Sequence, residues 1–217
     1  MNNLTLFRIC AALTICALAQ TTLAQQALEL SGAQFAAEAQ VNESKLLLHG
    51  AGIRHRFGIK VYAAGLYTAA KFTSVDTLLV DPRAKRLQLI FYREVDGNEL
   101  GNLFIRGIQN NAPPNEEMSK IIQGASQMGD AMGAFFSGGK KLLPGDVLHI
   151  DYVPNVGTIV THNGKPVGSL IREPRFFSAL LRIWLGQDPA DAQLKQALLG
   201  IAPPPGTEPV QRPKARS

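Results

Sequence analysis

The sequence predicts an α+β fold in which antiparallel strands and packed helices form separate blocks. Strand-type and helix-type segments follow one another as strands, helices, strands and helices, unlike the regular alternation of a parallel βαβ winding. An Asn163-Gly164 step between two short alternating runs is the strongest hairpin signal in the chain. The 217 residues are 46% hydrophobic and 18% charged, which excludes a disordered, collagen-like or coiled-coil protein.

Residues 1–24 place Arg8 before an apolar run from Ile9 to Ala19 and end in small residues at Thr22 and Ala24, the pattern of a secretory signal peptide. That run is too short to cross a hydrocarbon core of about 30 Å, and no later segment reaches the roughly 20 residues a spanning helix needs. The expectation is therefore a secreted protein, in the periplasm, with no transmembrane segment after signal cleavage. Cys10 and Cys16 both fall in the leader, and Ile15 is bulkier than a lipobox allows before Cys16. Cleavage after Ala24 leaves a chain without thiols, which excludes disulfides, cysteine nucleophiles and thiolate metal sites. Residues 25–200 are long enough for one sizeable core, and 201–217 form a Pro-rich basic tail that is expected to be disordered. The formal charge of +5 shrinks to 18 basic against 16 acidic residues once leader and tail are set aside, so no nucleic-acid partner is expected.

Lys45 to Thr68 is rich in branched and aromatic residues, with glycines and alternating stretches, and reads as two strands. Leu87 to Arg93 is a third, after the turn-prone Asp81-Pro82. Asn98 to Gln109 reads as a helix with Leu100, Leu103, Phe104 and Ile108 on one stripe, stopped by Pro113-Pro114. A second helix from about Asn115 carries Gly129 and Gly133 near its packing face, with Gly138-Gly139 beyond its end. Strands return on both sides of Asn163-Gly164. Arg172 to Gly186 is an apolar helix, and a last helix is predicted with Asp188 as N-cap, Pro189 in its first turn and Gly200 as its stop.

Little catalytic chemistry is on offer. His49, His55, His149 and His162 are too scattered for a local ligand motif, so no metal site is expected. There is no hydrolase elbow and no phosphate loop. Glu116 and Glu117 sit near a helix start, where the macrodipole favours carboxylates without any catalytic role.

The informative stretch is Leu46 to Tyr67. In an extended strand the even positions share a face, so Gly50 and Gly52 leave a hollow beside Arg54. A straight continuation would separate Arg54 and Tyr62 by roughly 26 Å at about 3.3 Å per residue. A tight reversal around Arg56 to Gly58 instead lays the second strand back along the first and brings Tyr62 near Arg54. The alternative is that the glycines mark bulges and Arg54 meets an internal carboxylate.

These residues resemble the chalcone isomerase-like family. Gly50-Ala51-Gly52-Ile53-Arg54 matches its glycine-arginine strand, and Lys60 to Tyr67 matches the strand that follows. Pro144-Gly145-Asp146, the Asn163-Gly164 hairpin and the closing run Leu181 to Gly200 extend the likeness over most of the chain, the last especially to an exported bacterial branch. The resemblance implies an open-faced β-sandwich, a large antiparallel sheet backed by a layer of helices with a ligand cleft between them. In the plant enzymes of the family the arginine holds the substrate, a threonine on the second strand organises the chemistry, and a tyrosine follows on the next helix. Here Arg54 matches the arginine, Tyr62 stands at the threonine position, and Glu99 or Leu100 falls near the tyrosine position. These departures leave no assignable catalytic residue and point away from an enzyme.

Other branches bind fatty acids through the same arginine, and some relatives are associated with haem. A guanidinium facing an apolar cleft is costly unless an anion completes its fork, and a lipophilic carboxylate supplies both anion and apolar body. The reading is a periplasmic binder of a small lipophilic anionic ligand such as a fatty acid, with no cofactor required. Arg54, Tyr62, Gly50, Gly52 and Phe104 are its ligand-binding residues, with Leu100 and Ile108 on the same stripe as Phe104. The alternatives are an intramolecular lyase of the chalcone isomerase type with an altered substrate, and a haem-binding protein. The basic tail could further touch anionic envelope surfaces.

Overall fold

A computed structural model describes residues 27–111 and 118–201. The expected signal peptide, the Pro113-Pro114 break, the Glu116-Glu117 pair and nearly all of the tail lie outside the described residues.

The chain begins with short strands β1 (Leu28–Leu30), β2 (Ala33–Phe35) and β3 (Glu38–Val41), then the long hairpin of β4 (Ser44–Arg56) and β5 (Ile59–Thr68). Helix α1 (Val75–Val80) leads into β6 (Lys85–Phe91) and β7 (Val95–Asp96), followed by helices α2 (Gly97–Asn111) and α3 (Met118–Phe135). Strands β8 (Lys141–Leu142), β9 (Val147–Val153), β10 (Gly157–His162) and β11 (Lys165–Pro166) precede α4 (Phe176–Leu185) and α5 (Ala192–Leu198). Seven strands make one antiparallel sheet in the order β11-β10-β9-β6-β5-β4-β3. This is the α+β sheet with helices that the sequence predicts.

Both predicted reversals form. Phe57 and Gly58 have φ of 52° and 76°, Asn163 and Gly164 φ of 47° and 78°, so each hairpin closes through two left-handed residues whose twist matches that of the strands. Three features of the fold differ from the sequence reading. The strands β1–β3 and helix α1 escape a periodicity reading, because three to six residues display no period. The last helix is capped by Asp191, whose carboxylate accepts from the Gln193 and Leu194 amides at 2.9 and 3.0 Å, and not by Asp188. Asp188 is instead tied to the end of α2, its amide donating to Asn111 Oδ1 and its carbonyl accepting from Asn111 Nδ2.

The third correction concerns β4. Its register with β5 slips between Leu48 and Gly50, leaving His49 as an extra residue. Even positions therefore do not keep one face. Leu46 and Leu48 share the outer face with Ala51 and Ile53, and there they pack with Phe35 and Tyr67 under the β1–β2 hairpin. Gly50, Gly52 and Arg54 are turned toward the helices. His49 is built into the bulge. Its Nε2 accepts from the Phe72 amide at 2.9 Å, so the proton sits on Nδ1, 3.0 Å from the Leu198 carbonyl.

The inner face carries the main core. Leu66, Leu87, Leu89, Leu148 and Ile150 pack against Phe104, Met128, Phe176, Leu180 and Trp184 of the helix layer. Gly129 and Gly133 of α3 do lie on a packing face, since an added Cβ would stand 2.9 Å from Ile105 Cδ1 and 2.6 Å from Asn98 Oδ1.

At one end of the sheet the Pro144-Gly145-Asp146 turn is locked to the Asn163-Gly164 hairpin. Asp146 accepts from the Leu143 amide and from Asn163 Nδ2, both at 2.8 Å, and the His162 Nε2 lies 2.9 Å from its carboxylate. Burial by itself would raise the Asp146 pKa. The two hydrogen bonds and the neighbouring imidazole outweigh it and hold the carboxyl below its ordinary 3.8. A depressed folded-state value means that Asp146 stabilises the fold above the unfolded value and loses that contribution as the pH falls through the folded one. Asp146→Asn should lower Tm at pH 7 and reduce the loss of Tm on acidification below about pH 4, as read by thermal melts over a pH series. An acid slope as steep as that of the parent protein would contradict the assignment.

Candidate functional site: an arginine set in the sheet–helix cavity

Arg54, Tyr62 and Phe91 stand side by side on β4, β5 and β6, paired in register across the three strands. The Tyr62 ring meets Phe91 edge-on at 5.8 Å and lies under the Arg54 guanidinium, with Cζ 5.6 Å from the ring centroid. Trp184 of α4 donates from Nε1 to the Tyr62 hydroxyl at 2.8 Å, and Phe104 of α2 packs edge-on against Trp184 at 5.7 Å. Burial pushes the Tyr62 pKa up, against the opposing pull of Arg54 and of the Trp184 hydrogen bond. Tyr62 is thus a neutral phenol whose oxygen accepts from Trp184, and its own proton is left to donate.

Arg54 is half-buried, and its Nε is shielded from solvent without a hydrogen-bond partner. Among the described residues no carboxylate forms an ion pair with it. Asp191, close enough to act on Tyr62 electrostatically, is committed to capping α5 and to the His55 amide at 3.0 Å. The internal carboxylate of the alternative reading does not appear.

Two cavities meet at this arginine. One of about 240 Å³ lies between the sheet and helices α2 and α4 and is lined by Phe104, Ile183 and Trp184, with Asp188 and Asn110 on its walls. A second of about 150 Å³ is lined by Phe91 and Val95 and carries Arg56, Arg93 and Glu99. Both share Arg54, Tyr62, Leu100 and Leu103. An apolar guest entering from either side reaches the same guanidinium.

Of the predicted site residues, the fold gathers Arg54, Tyr62 and Phe104 around the larger cavity, and Leu100 with them. Ile108 lies in the core and lines neither cavity. Gly50 and Gly52 are a correction, because helix α5 fills the hollow their missing side chains leave. A Cβ at Gly50 would stand 2.6 Å from the Leu198 carbonyl oxygen, and one at Gly52 2.6 Å from Ala197 Cβ. The glycines admit a helix, not a guest. Trp184 and Ile183 were missed because an apolar helix reads as core. The signal that could have found Trp184 is the need of a buried tyrosine hydroxyl for a partner.

None of the four histidines lines either cavity, and His49 has both ring nitrogens engaged.

Tyr62→Phe removes one donor toward the cavity and strands the buried Trp184 N–H. A stability loss of about 1–3 kcal/mol is expected, measurable as a lower Tm. A Tm for Tyr62→Phe equal to that of the parent would contradict this geometry.

A curled antiparallel sheet is backed by helices, with Arg54 at a partly apolar cavity between the layers, an α+β architecture with a cleft. The chain belongs to the chalcone isomerase-like family, whose model matches residues 27–200. Among solved structures it is similar to a fatty-acid binding protein of Arabidopsis thaliana, with a TM-score of 0.57 at 18% identity over 80% of this chain and 96% of that one. No curated protein matches the sequence.

Proposed function

We propose that this chain is an exported, non-catalytic member of the chalcone isomerase-like family that binds a lipophilic carboxylate, such as a fatty acid, in the periplasm. The observation that carries the reading is the Arg54 guanidinium, half-buried at a partly apolar cavity with no carboxylate paired to it among the described residues. A buried charge without a partner is costly, and a carboxylate arriving from outside offsets that cost with charge-assisted hydrogen bonds. Arg54 takes the head group, Tyr62 adds its hydroxyl proton, and Leu103, Phe104 and Ile183 flank the hydrocarbon. The fatty-acid binding protein of the same fold supports the ligand class. Absence of a catalytic role rests on Tyr62, which stands where the plant enzymes carry a threonine and is held by Trp184. Export rests on the leader-like residues 1–24.

Mass spectrometry of material extracted from the purified protein, followed by calorimetric titration with saturated fatty acids and the matching alcohols, tests the proposal. Acids should bind and alcohols of equal length should bind far more weakly. Equal affinity for the two series, or none for either, would overturn it.

A further inference from the structure

The β4–β5 hairpin ends in a feature that neither the core nor the cavity uses. Phe57 at its tip is 92% exposed and Ile59, two residues on, 55% exposed. Phe57 also occupies a left-handed position, φ 52°, in a two-residue turn that favours glycine or asparagine there. Local backbone preference therefore does not account for the aromatic side chain, whose ring meets only the exposed Arg56 guanidinium, with Cζ 5.6 Å from its centroid, and no core residue. Leu143, 52% exposed, belongs to the same end of the sheet, because Gly145 donates to the Phe91 carbonyl and Phe91 is paired with Tyr62. Among the described residues the remaining exposed large apolar side chains, Val80, Val156 and Ile201, lie elsewhere.

Cations lie close to this tip. Arg56 precedes Phe57 in the chain, Lys60 follows three residues on, and Arg93 lines the same cavity as Arg56. The carboxylates there are largely engaged. Glu94 pairs with Lys141, Asp96 caps the start of α2 through the Glu99 amide, and Glu99 faces Arg56 at 3.8 Å with both side chains more than half exposed. Lys60 hydrogen-bonds the neutral Ser31 hydroxyl and keeps its charge unopposed.

We infer that the Phe57–Ile59 tip inserts into the interface of an anionic phospholipid bilayer, with Arg56 and Lys60 held at the head groups. A protruding point of two apolar side chains is too small for the core of a stable protein–protein interface, whereas a bilayer accepts isolated apolar side chains ringed by cations. Charge complementarity selects an anionic surface. The inference stands on the hairpin and does not require the cavity's guest to be a fatty acid. Arg54 and Tyr62 pair only a few residues from the turn of this hairpin, so docking would place the cavity mouth near the lipid.

Flotation of the purified protein with phosphatidylglycerol-containing vesicles, compared with pure phosphatidylcholine vesicles, tests the inference. The protein should float with the anionic vesicles alone and be released by salt. Phe57→Gly should weaken this binding by about tenfold or more, the loss expected on removing one inserted aromatic side chain. Its Tm should be unchanged or raised, since glycine suits φ 52°. Val80→Ser, at a site 78% exposed away from this end, should bind as the parent does. In a Phe57→Trp variant, brominated lipid should quench the new fluorophore and leave the buried Trp184 unquenched. Parent protein that fails to float, Phe57→Gly floating undiminished, or Phe57-dependent self-association without vesicles would overturn the inference.

Discussion

Arg54→Met should weaken fatty-acid binding by about a hundredfold while leaving the fold intact or more stable. Leaving a buried carboxylate without its cation costs about 2–5 kcal/mol, and every 1.4 kcal/mol is about a tenfold change in affinity. The stability expectation runs the other way because, in the empty protein, Arg54 has no carboxylate partner and a buried, unsatisfied Nε. An unbranched apolar side chain of similar length removes that desolvation cost and fills the space between Tyr62 and Leu100. Arg54→Lys should recover part of the affinity, since an ammonium keeps the charge without the planar fork. Competition titrations against a fluorescent fatty acid and calorimetric melts would read both effects. Undiminished affinity in Arg54→Met would remove the arginine from the site. A large fall in Tm would make it a structural residue.

The second large effect is expected at Gly50. An alanine Cβ there meets the carbonyl oxygens of Ala197 and Leu198, the latter at 2.6 Å. These are backbone atoms that cannot rotate aside, so α5 must move off the sheet. Overpacking of this kind costs about 3 kcal/mol, and at roughly 2–4 °C per kcal/mol for a domain of this size Tm should fall by roughly 6–12 °C. Gly52→Ala presses at 2.6 Å on Ala197 Cβ, which has no rotamer to change, and at 3.0 Å on the movable Leu194 Cδ1, so a loss of similar size is expected. Neither variant should alter ligand affinity of the folded protein. If the two glycines bordered an open ligand hollow, both alanines would be accepted without loss of Tm and would block binding.

These two positions show how far the sequence could be read. Arg54 and Tyr62 were placed together correctly because chain reach demands a reversal between them, and the Phe57-Gly58 turn supplies it. Gly50 and Gly52 were given the right face for the wrong reason. One strand considered alone leaves a hollow wherever glycine stands, and only long-range packing decides whether a helix or a guest fills it. Here a helix some 140 residues further along the chain fills it, which no local pattern can announce. The bulge at His49 was similarly hidden, since period-two reasoning carries parity straight through an inserted residue. Asp188 and Asp191 are both adequate caps by residue type. The bonds between Asp188 and Asn111, on an element far away in sequence, decide between them. Trp184 belongs to the same category, its role visible only once α4 lies across the sheet.

The central claim, that Arg54 receives an external carboxylate in a partly apolar cavity, is tested most directly by carbon-13 NMR of a carboxyl-labelled fatty acid titrated with pH in the presence of the protein. The account predicts a distinct bound resonance whose pKa lies below that of the free acid, because the guanidinium favours the ionised form, and which shifts upward in Arg54→Met, where desolvation acts alone. A bound carboxyl that titrates as it does in water, or identically in the parent and in Arg54→Met, would contradict it.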